Sequence, residues 1–332
     1  MTRVMGAVEL TNALAERGLL PASAEPPPLG HADRPWFVGV VLGASGWLAG
    51  LFALLFVYLL FEPESAGGFT LAGVIMLAAA YGLYFADRDS AFFDQLALAL
   101  SIAGQLALAW AAADATDSTA ATAALMAALQ LVLLFVLPNH LAKTLAAFFA
   151  CVAFAIAVRY GWWERSVFDA PREEVALLPA LLGWLVIWTP LIAAAHVLIA
   201  REAEWMASAL RRVARPALSG LIGALAIGTW VSEPFASLPF FATGGQTNWL
   251  ALWPIFAAAT ALYAASCAFR LRSRALVGLA IAGALLHTMQ FYYVLGATLL
   301  LKSTFMLADG VVLLAAAWAL RRRWSSAPGG EP

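Results

Sequence analysis

Charged residues are scarce in this chain. Its 332 residues include 19 Lys and Arg and 20 Asp and Glu, so that 12% are charged and 63% are hydrophobic. An ordinary soluble protein has about 25% charged residues. The net charge of −1 shows no excess of either sign. This composition excludes a disordered chain, a nucleic-acid-binding protein and a typical soluble enzyme.

Cysteines and catalytic motifs are also scarce. The two cysteines, Cys151 and Cys267, fall inside apolar runs, where a small buried thiol is more typical than a disulfide. No Cys or His spacing typical of a metal site occurs, and the sequence contains no protease, hydrolase, kinase or zincin motif. We therefore predict no metal site, no bound cofactor and no conventional catalytic residue.

Long apolar runs dominate what is present. A helix that crosses the hydrocarbon core needs about 20 apolar residues at ~1.5 Å of rise each, and lipid offers backbone amides no other partner. We predict an all-α, polytopic transmembrane bundle over 36–320, after a leader at 1–35 (a short helix and a Pro-rich linker) and before a short basic tail at 321–332. Ten spans are predicted, at 36–61, 69–86, 92–113, 120–137, 144–160, 175–200, 216–233, 248–269, 275–293 and 303–320.

The basic residues are unevenly placed between these spans. With the N-terminus inside, 15 of the 19 fall on inner segments, and the outer segments hold only Arg159, Arg165, Arg172 and Lys302. Lys and Arg accumulate in cytoplasmic loops. The pattern therefore predicts that both termini are cytoplasmic.

The segments between the spans are short. The longest outer ones, 161–174 and 232–248, are too small to fold alone, so any chemistry has to take place between helices. Small residues recur at helix-packing spacing, as in Gly46 and Gly50 or in Gly220, Ala224 and Gly228. Close packing within the bundle is the expected explanation, and formation of a homo-oligomer is the second.

Polar residues near the C-terminus form the first candidate site. His287 and Asp309 both lie about 17–18 Å from the inner surface, on spans that are neighbours in sequence, so they can meet within the membrane. Such a pair can carry protons, or it can be a fixed structural hydrogen bond. Lys302 either extends to the interface or captures an anionic group close to Tyr292 and Tyr293.

The sixth predicted span contains the second candidate. Thr189 and Pro190 fall near mid-membrane, and His196 lies about 9 Å farther along the helix. Pro190 is expected to kink the helix and free a carbonyl. We interpret the three residues as a candidate helix kink and polar face.

The stretch HTMQFYYVLGATLLLKS at 287–303, continuing to Asp309, Gly310 and Trp318, resembles a known family. Its members are bacterial multi-spanning inner-membrane proteins labelled only as a domain of unknown function. Some occur beside a small membrane-associated protein named for its GDYXXLXY motif. The resemblance implies an inner-membrane location and such a protein as partner, and it implies no established activity.

Three functions follow as hypotheses. The first is a non-enzymatic component of a membrane complex, or a sensor. The second is a secondary transporter, because five spans before residue 161 and five after it place two halves in opposite orientation. The third is an intramembrane enzyme acting on lipid, with His287, Asp309 and Lys302 in its site.

Overall fold

The computed structural model describes residues 36–61, 65–86, 91–163, 177–232, 253–294 and 298–325. All regular structure in these ranges is helical, which confirms the predicted all-α class. The predicted leader at 1–35 and the final residues of the tail, 326–332, lie outside the described residues. The described helices, in chain order, are α1 (Trp36–Phe61), α2 (Ala66–Ala86), α3 (Ala91–Thr116), α4 (Thr119–Val136), α5 (His140–Trp163), α6 (Leu177–Ala200), the short α7 (Glu202–Ala207), α8 (Arg211–Ile227) continued by a 3-10 segment (Gly228–Ser232), α9 (Trp253–Arg270), α10 (Arg274–Val294) and α11 (Leu299–Ser325).

Helix starts follow local capping chemistry. The side chain of Ser118 accepts a hydrogen bond from the amide of Ala121 at 3.3 Å and thereby caps α4. Before α5, the Asn139 side chain accepts from the amides of Leu141 and Ala142 at 2.8 and 3.1 Å. Both arrangements satisfy amides that have no partner inside the helix, so Ser118 and Asn139 stabilise the starts of α4 and α5.

Seven stretches of the described helices are long and apolar enough to cross a membrane. They lie in α2, α3, α4, α5, α6, α10 and in α8 together with its 3-10 segment. The other three predicted spans, at 36–61, 248–269 and 303–320, overlap α1, α9 and α11, and residues 248–252 lie outside the described residues. Shorter apolar stretches are present in α1 and α11, at Val41–Phe56 and Leu299–Ala308, while α9 ends on the charged Arg270. The protein is therefore a helical protein with several membrane-spanning segments.

Large apolar side chains cover the outer faces of the helices. Phe52 and Phe56 of α1, for example, are each 63% exposed. Surface of this kind is unfavourable in water when it is extensive, and it is the expected surface of a helix in lipid.

The chain divides into two compact units, Met1–Leu108 and Ala109–Pro332. In the first unit, Met76 and Ala80 of α2 form a small buried core with Leu100 and Ala103 of α3. Gly46 of α1 lies against Gln95 and the backbone of α3, so closely that a Cβ there would lie 2.9 Å from the Leu96 nitrogen. The glycines predicted to mediate helix packing do so here.

The second unit is organised around α8, which packs against α5, α6, α9 and α10. Its side chains Ile222, Leu225 and Ala226 are fully buried, beside Trp188 of α6. Gly220 faces the Thr144 carbonyl of α5 so closely that no side chain fits between them. Both cysteines are free thiols, and Cys267 is buried in this core.

Candidate functional site

His287 lies in α10 and is completely buried. Its Nε2 atom is 3.0 Å from the hydroxyl oxygen of Thr229, which belongs to the 3-10 segment. One helical turn before His287, Gly283 lies directly against the Ala226 carbonyl of α8. Because Gly283 has no side chain, α10 approaches α8 closely enough for the imidazole to reach Thr229.

The other ring nitrogen of His287 faces a glutamine on the same helix. Its Nδ1 atom lies 3.5 Å from Oε1 of Gln290, a side chain that is only 1% exposed. The indole nitrogen of Trp230 donates to the same Gln290 oxygen at 2.8 Å. The Trp230 ring also meets the imidazole edge-on, with the ring centroids 5.2 Å apart. His287 is thus enclosed by Thr229, Trp230 and Gln290.

Further hydrogen bonds hold the 3-10 segment from two other helices. The indole nitrogen of Trp188 in α6 donates to the Ser232 hydroxyl at 2.7 Å, and that hydroxyl donates to the Thr229 carbonyl at 2.8 Å. Arg159 of α5 donates through Nη1 to the Val231 carbonyl at 2.8 Å. The carbonyls at the end of a helix have no hydrogen-bond donor within the helix. Here Arg159 and Ser232 donate to two of them.

Together these groups form a buried polar network, which we define as Trp188, Thr229, Trp230, Ser232, His287 and Gln290. A neutral imidazole donates from one nitrogen and accepts at the other, and both His287 nitrogens face partners inside the protein. The network therefore joins α6, the 3-10 segment and α10 across the core. Asp309 lies within α11, but its side chain is outside those that the structure describes, so the pairing of His287 with Asp309 stays a prediction.

Lys302 occupies a different place from His287. Its ammonium nitrogen lies 5.0 Å from the centroid of the Tyr292 ring, a cation–π distance. Tyr293 is 63% exposed and stands perpendicular to Tyr292, with the ring centroids 5.7 Å apart. The structure therefore brings Lys302 and Tyr292 together and leaves Tyr293 at the surface.

A cavity of about 240 Å³ lies beside Lys302, between α9, α10 and α11. Its polar side chains are Lys302, Tyr292 and Thr288, and the Thr288 hydroxyl donates to the Ala284 carbonyl of its own helix at 2.9 Å. Apolar side chains form the remaining wall. His287 is not one of the residues that line this cavity.

The candidate kink in α6 lies on an exposed helix face. Pro190 is inside the helix, which runs from Leu177 to Ala200. Thr189, Pro190 and His196 are all exposed, whereas Trp188 on the same helix is fully buried. The side chains of the candidate polar face therefore point away from the buried network, and the kink itself stays a prediction.

The partners of His287 were not identified from the sequence. One signal for Gln290 was available, because residues three apart share a helix face. Thr229 carried no comparable signal, since it is 58 positions away along the chain. Among the described residues, no group of three or more His, Cys, Asp or Glu side chains is placed to hold a metal ion.

Comparison with known proteins identifies one family. The family described as "Domain of unknown function (DUF4401)" matches residues 35–260 and 174–323. No curated protein and no solved structure matches the chain significantly. The two family matches together extend from residue 35 to residue 323, which confirms the resemblance to a family labelled as a domain of unknown function. The chain therefore belongs to the DUF4401 family.

Proposed function

We propose that this protein is a ten-span protein of the bacterial inner membrane with both termini in the cytoplasm, and that it acts as a non-enzymatic component of a membrane complex or as a sensor. The distribution of basic residues, 15 on predicted inner segments and 4 on outer ones, supports the orientation. The burial of His287 supports the non-enzymatic role.

The argument from His287 depends on whether water or substrate can reach its side chain. A proton carrier or an acid–base catalyst has to exchange protons with water or substrate. His287 is 0% exposed, and its two nitrogens face Thr229 and Gln290. A group enclosed in this way is suited to holding helices together. The proposal therefore assigns the polar network a structural role.

The partner proposal comes from the family resemblance. We expect a small membrane-associated protein of the GDYXXLXY kind to bind this chain. The test is co-expression of the two proteins, affinity purification of the tagged full-length chain in mild detergent, and size-exclusion chromatography. Co-elution at a mass above that of the 35.2 kDa chain supports the complex. An unrelated polytopic membrane protein serves as control bait, and elution of the chain alone would contradict the proposal.

The orientation has its own test. In a background of Cys151→Ala and Cys267→Ala, single cysteines are introduced as Ser166→Cys, in a predicted outer segment, and as Ser326→Cys, in the predicted inner tail. A membrane-impermeant maleimide added to intact cells should label the first variant and spare the second until the cells are opened. Labelling of the tail in intact cells would reverse the proposed topology.

A secondary transporter is the second candidate function. It is supported by the predicted spans, five before residue 161 and five after it, because two halves in opposite orientation are the arrangement that inverted-repeat transporters use. Proton flux into proteoliposomes distinguishes the two functions. A flux that is lost in His287→Ala and kept in Met289→Ala, an exposed position on the same helix, would favour transport over the complex role.

A further inference from the structure

The cavity beside Lys302 has an apolar interior. Its wall includes Ile255 and Ala258 of α9, Phe291 of α10, and Phe305 and Met306 of α11. At about 240 Å³ it is slightly smaller than the range of about 300–1,000 Å³ that is typical of sites for drug-sized molecules. An interior of this size and polarity suits a segment of one acyl chain.

The Lys302 side chain places a positive charge at the cavity, close to the ends of α10 and α11. Tyr292 lies in the last turn of α10, which ends at Val294, and Lys302 lies in the first turn of α11, which begins at Leu299. Tyrosine and lysine at span ends are placed where lipid head groups begin. An ammonium has three donors, and contact with the face of the Tyr292 ring leaves donors for an anion.

Part of the cavity wall is exposed on the surface of the helices. Phe305 and Met306, which belong to its wall, are 43% and 46% exposed. Phe305 nevertheless contacts α10 through an edge-on stack with Phe291, at 5.9 Å between ring centroids. Helix α11 therefore meets the bundle at Phe305 and Lys302 and leaves an apolar space beside these contacts.

We propose that this cavity binds an anionic membrane phospholipid, with the head-group phosphate at Lys302 and part of one acyl chain between α9, α10 and α11. The charge of Lys302 selects the anion, and the apolar wall selects an amphiphile over a soluble ion. This site is separate from the polar network of His287, and it does not depend on the function proposed for the protein.

The test compares two lipids that differ in head-group charge. The purified full-length chain in detergent is incubated with phosphatidylglycerol or with phosphatidylcholine of the same acyl chains, and the bound lipid is measured by native mass spectrometry. We expect a preference of about tenfold for phosphatidylglycerol, the size of one charge-assisted hydrogen bond. Lys302→Met should remove the preference, and Lys302→Arg should keep it.

The cavity is tested by a matched pair of substitutions. Ala258→Leu fills the cavity, whereas Ala259→Leu makes the same change on the adjacent, exposed residue. The first should lower phosphatidylglycerol binding about tenfold and the second should leave it unchanged. Arg274→Met, at the opposite end of α10, is the control for loss of one positive charge and should also bind as the wild type does.

A measurement on the unsubstituted chain tests the proposal even if the variants fail to fold. The sequence contains two lysines, Lys143 and Lys302. Lys143 is not one of the residues that line the cavity, so its acylation by an amine-reactive ester provides an internal reference. Phosphatidylglycerol should slow the acylation of Lys302 relative to Lys143, and phosphatidylcholine should not.

Three results would overturn the proposal. The first is equal binding of the two lipids by the wild type. The second is an equal loss of binding in Ala258→Leu and Ala259→Leu. The third is protection of Lys302 by inorganic phosphate alone, since the site would then bind a soluble anion and have no need of the apolar cavity.

Discussion

The Nε2 atom of His287 and the hydroxyl oxygen of Thr229 lie 3.0 Å apart, although 58 positions separate them in sequence. Both side chains are almost completely buried. A buried polar group without a partner is costly, and interhelical hydrogen bonds hold helices together within membranes. This contact therefore holds α10 against the 3-10 segment. One helical turn away, Gly283 of α10 lies directly against the Ala226 carbonyl of α8.

His287→Ala should lower the free energy of unfolding by about 2 kcal/mol or more. The substitution removes an interhelical hydrogen bond worth about 0.6–1.7 kcal/mol and leaves a space in the core. SDS-induced unfolding in mixed micelles, followed by circular dichroism, measures the change. Met289→Ala, on the exposed side of the same helix, is the control. Equal stability of the two variants would contradict the structural role of His287.

His196→Ala should change the free energy of unfolding by no more than about 0.5 kcal/mol, as is usual for exposed positions. Its side chain is exposed on α6, whereas His287 is buried. The same unfolding experiment compares the two histidine variants directly. A loss as large as that of His287→Ala would mean that His196 makes a buried contact in the native membrane.

Trp188→Phe and Ser232→Ala should be energetically coupled by about 0.6–1.7 kcal/mol. The indole nitrogen of Trp188 donates to the Ser232 hydroxyl at 2.7 Å, so either single substitution breaks this bond. A double-mutant cycle of unfolding free energies gives the coupling. A second cycle pairs Trp188→Phe with Thr304→Ala. The Thr304 hydroxyl is exposed and bonds within its own helix, so the coupling energy of this cycle should be near zero. Coupling of the same size in both cycles would argue against a specific bond.

Gly283→Ala should destabilise the protein by about 1–3 kcal/mol, the usual cost of overpacking. A Cβ at Gly283 would collide with the Ala226 carbonyl, whereas a Cβ at Gly278 of the same helix meets no atom within 4 Å. Gly278→Ala is therefore the matched control, and it should be neutral or slightly stabilising because alanine is the better helix former. Thermal unfolding in detergent compares them, and a harmless Gly283→Ala would exclude the close approach.

Hydropathy and residue size predicted much of this architecture. The predicted spans at 120–137 and 144–160 correspond to α4 (Thr119–Val136) and α5 (His140–Trp163), since the intervening Pro138 and Asn139 interrupt an otherwise apolar sequence. The sequence predicts that small residues mediate close helix contacts, and the structure shows which residues they contact. Gly50 meets Ala99 of α3, and Gly220 meets the Thr144 carbonyl.

The candidate site was predicted less completely. Counting residues from a helix end gives the depth of a side chain in the membrane, which is how His287 was matched with Asp309. Depth does not give the rotation of a helix about its axis or the identity of its neighbour. The structure turns His287 toward Thr229 and places Thr288, Tyr292 and Lys302 at a separate cavity. From the sequence, Lys302 either extends to the interface or captures an anionic group close to Tyr292 and Tyr293, and the structure places its ammonium 5.0 Å from the centroid of the Tyr292 ring.

The sequence alone determined that this chain is helical and crosses a membrane repeatedly, because long apolar runs with few charges have no other way to satisfy their backbone amides in lipid. Only the tertiary structure decided which polar groups meet. Thr229 reaches His287, and Trp188 reaches Ser232, through the packing of helices that are distant in sequence. That packing depends on the close fit of facing surfaces around residues such as Gly283 and Ala226, and a pattern along one helix does not contain the shape of the helix it faces.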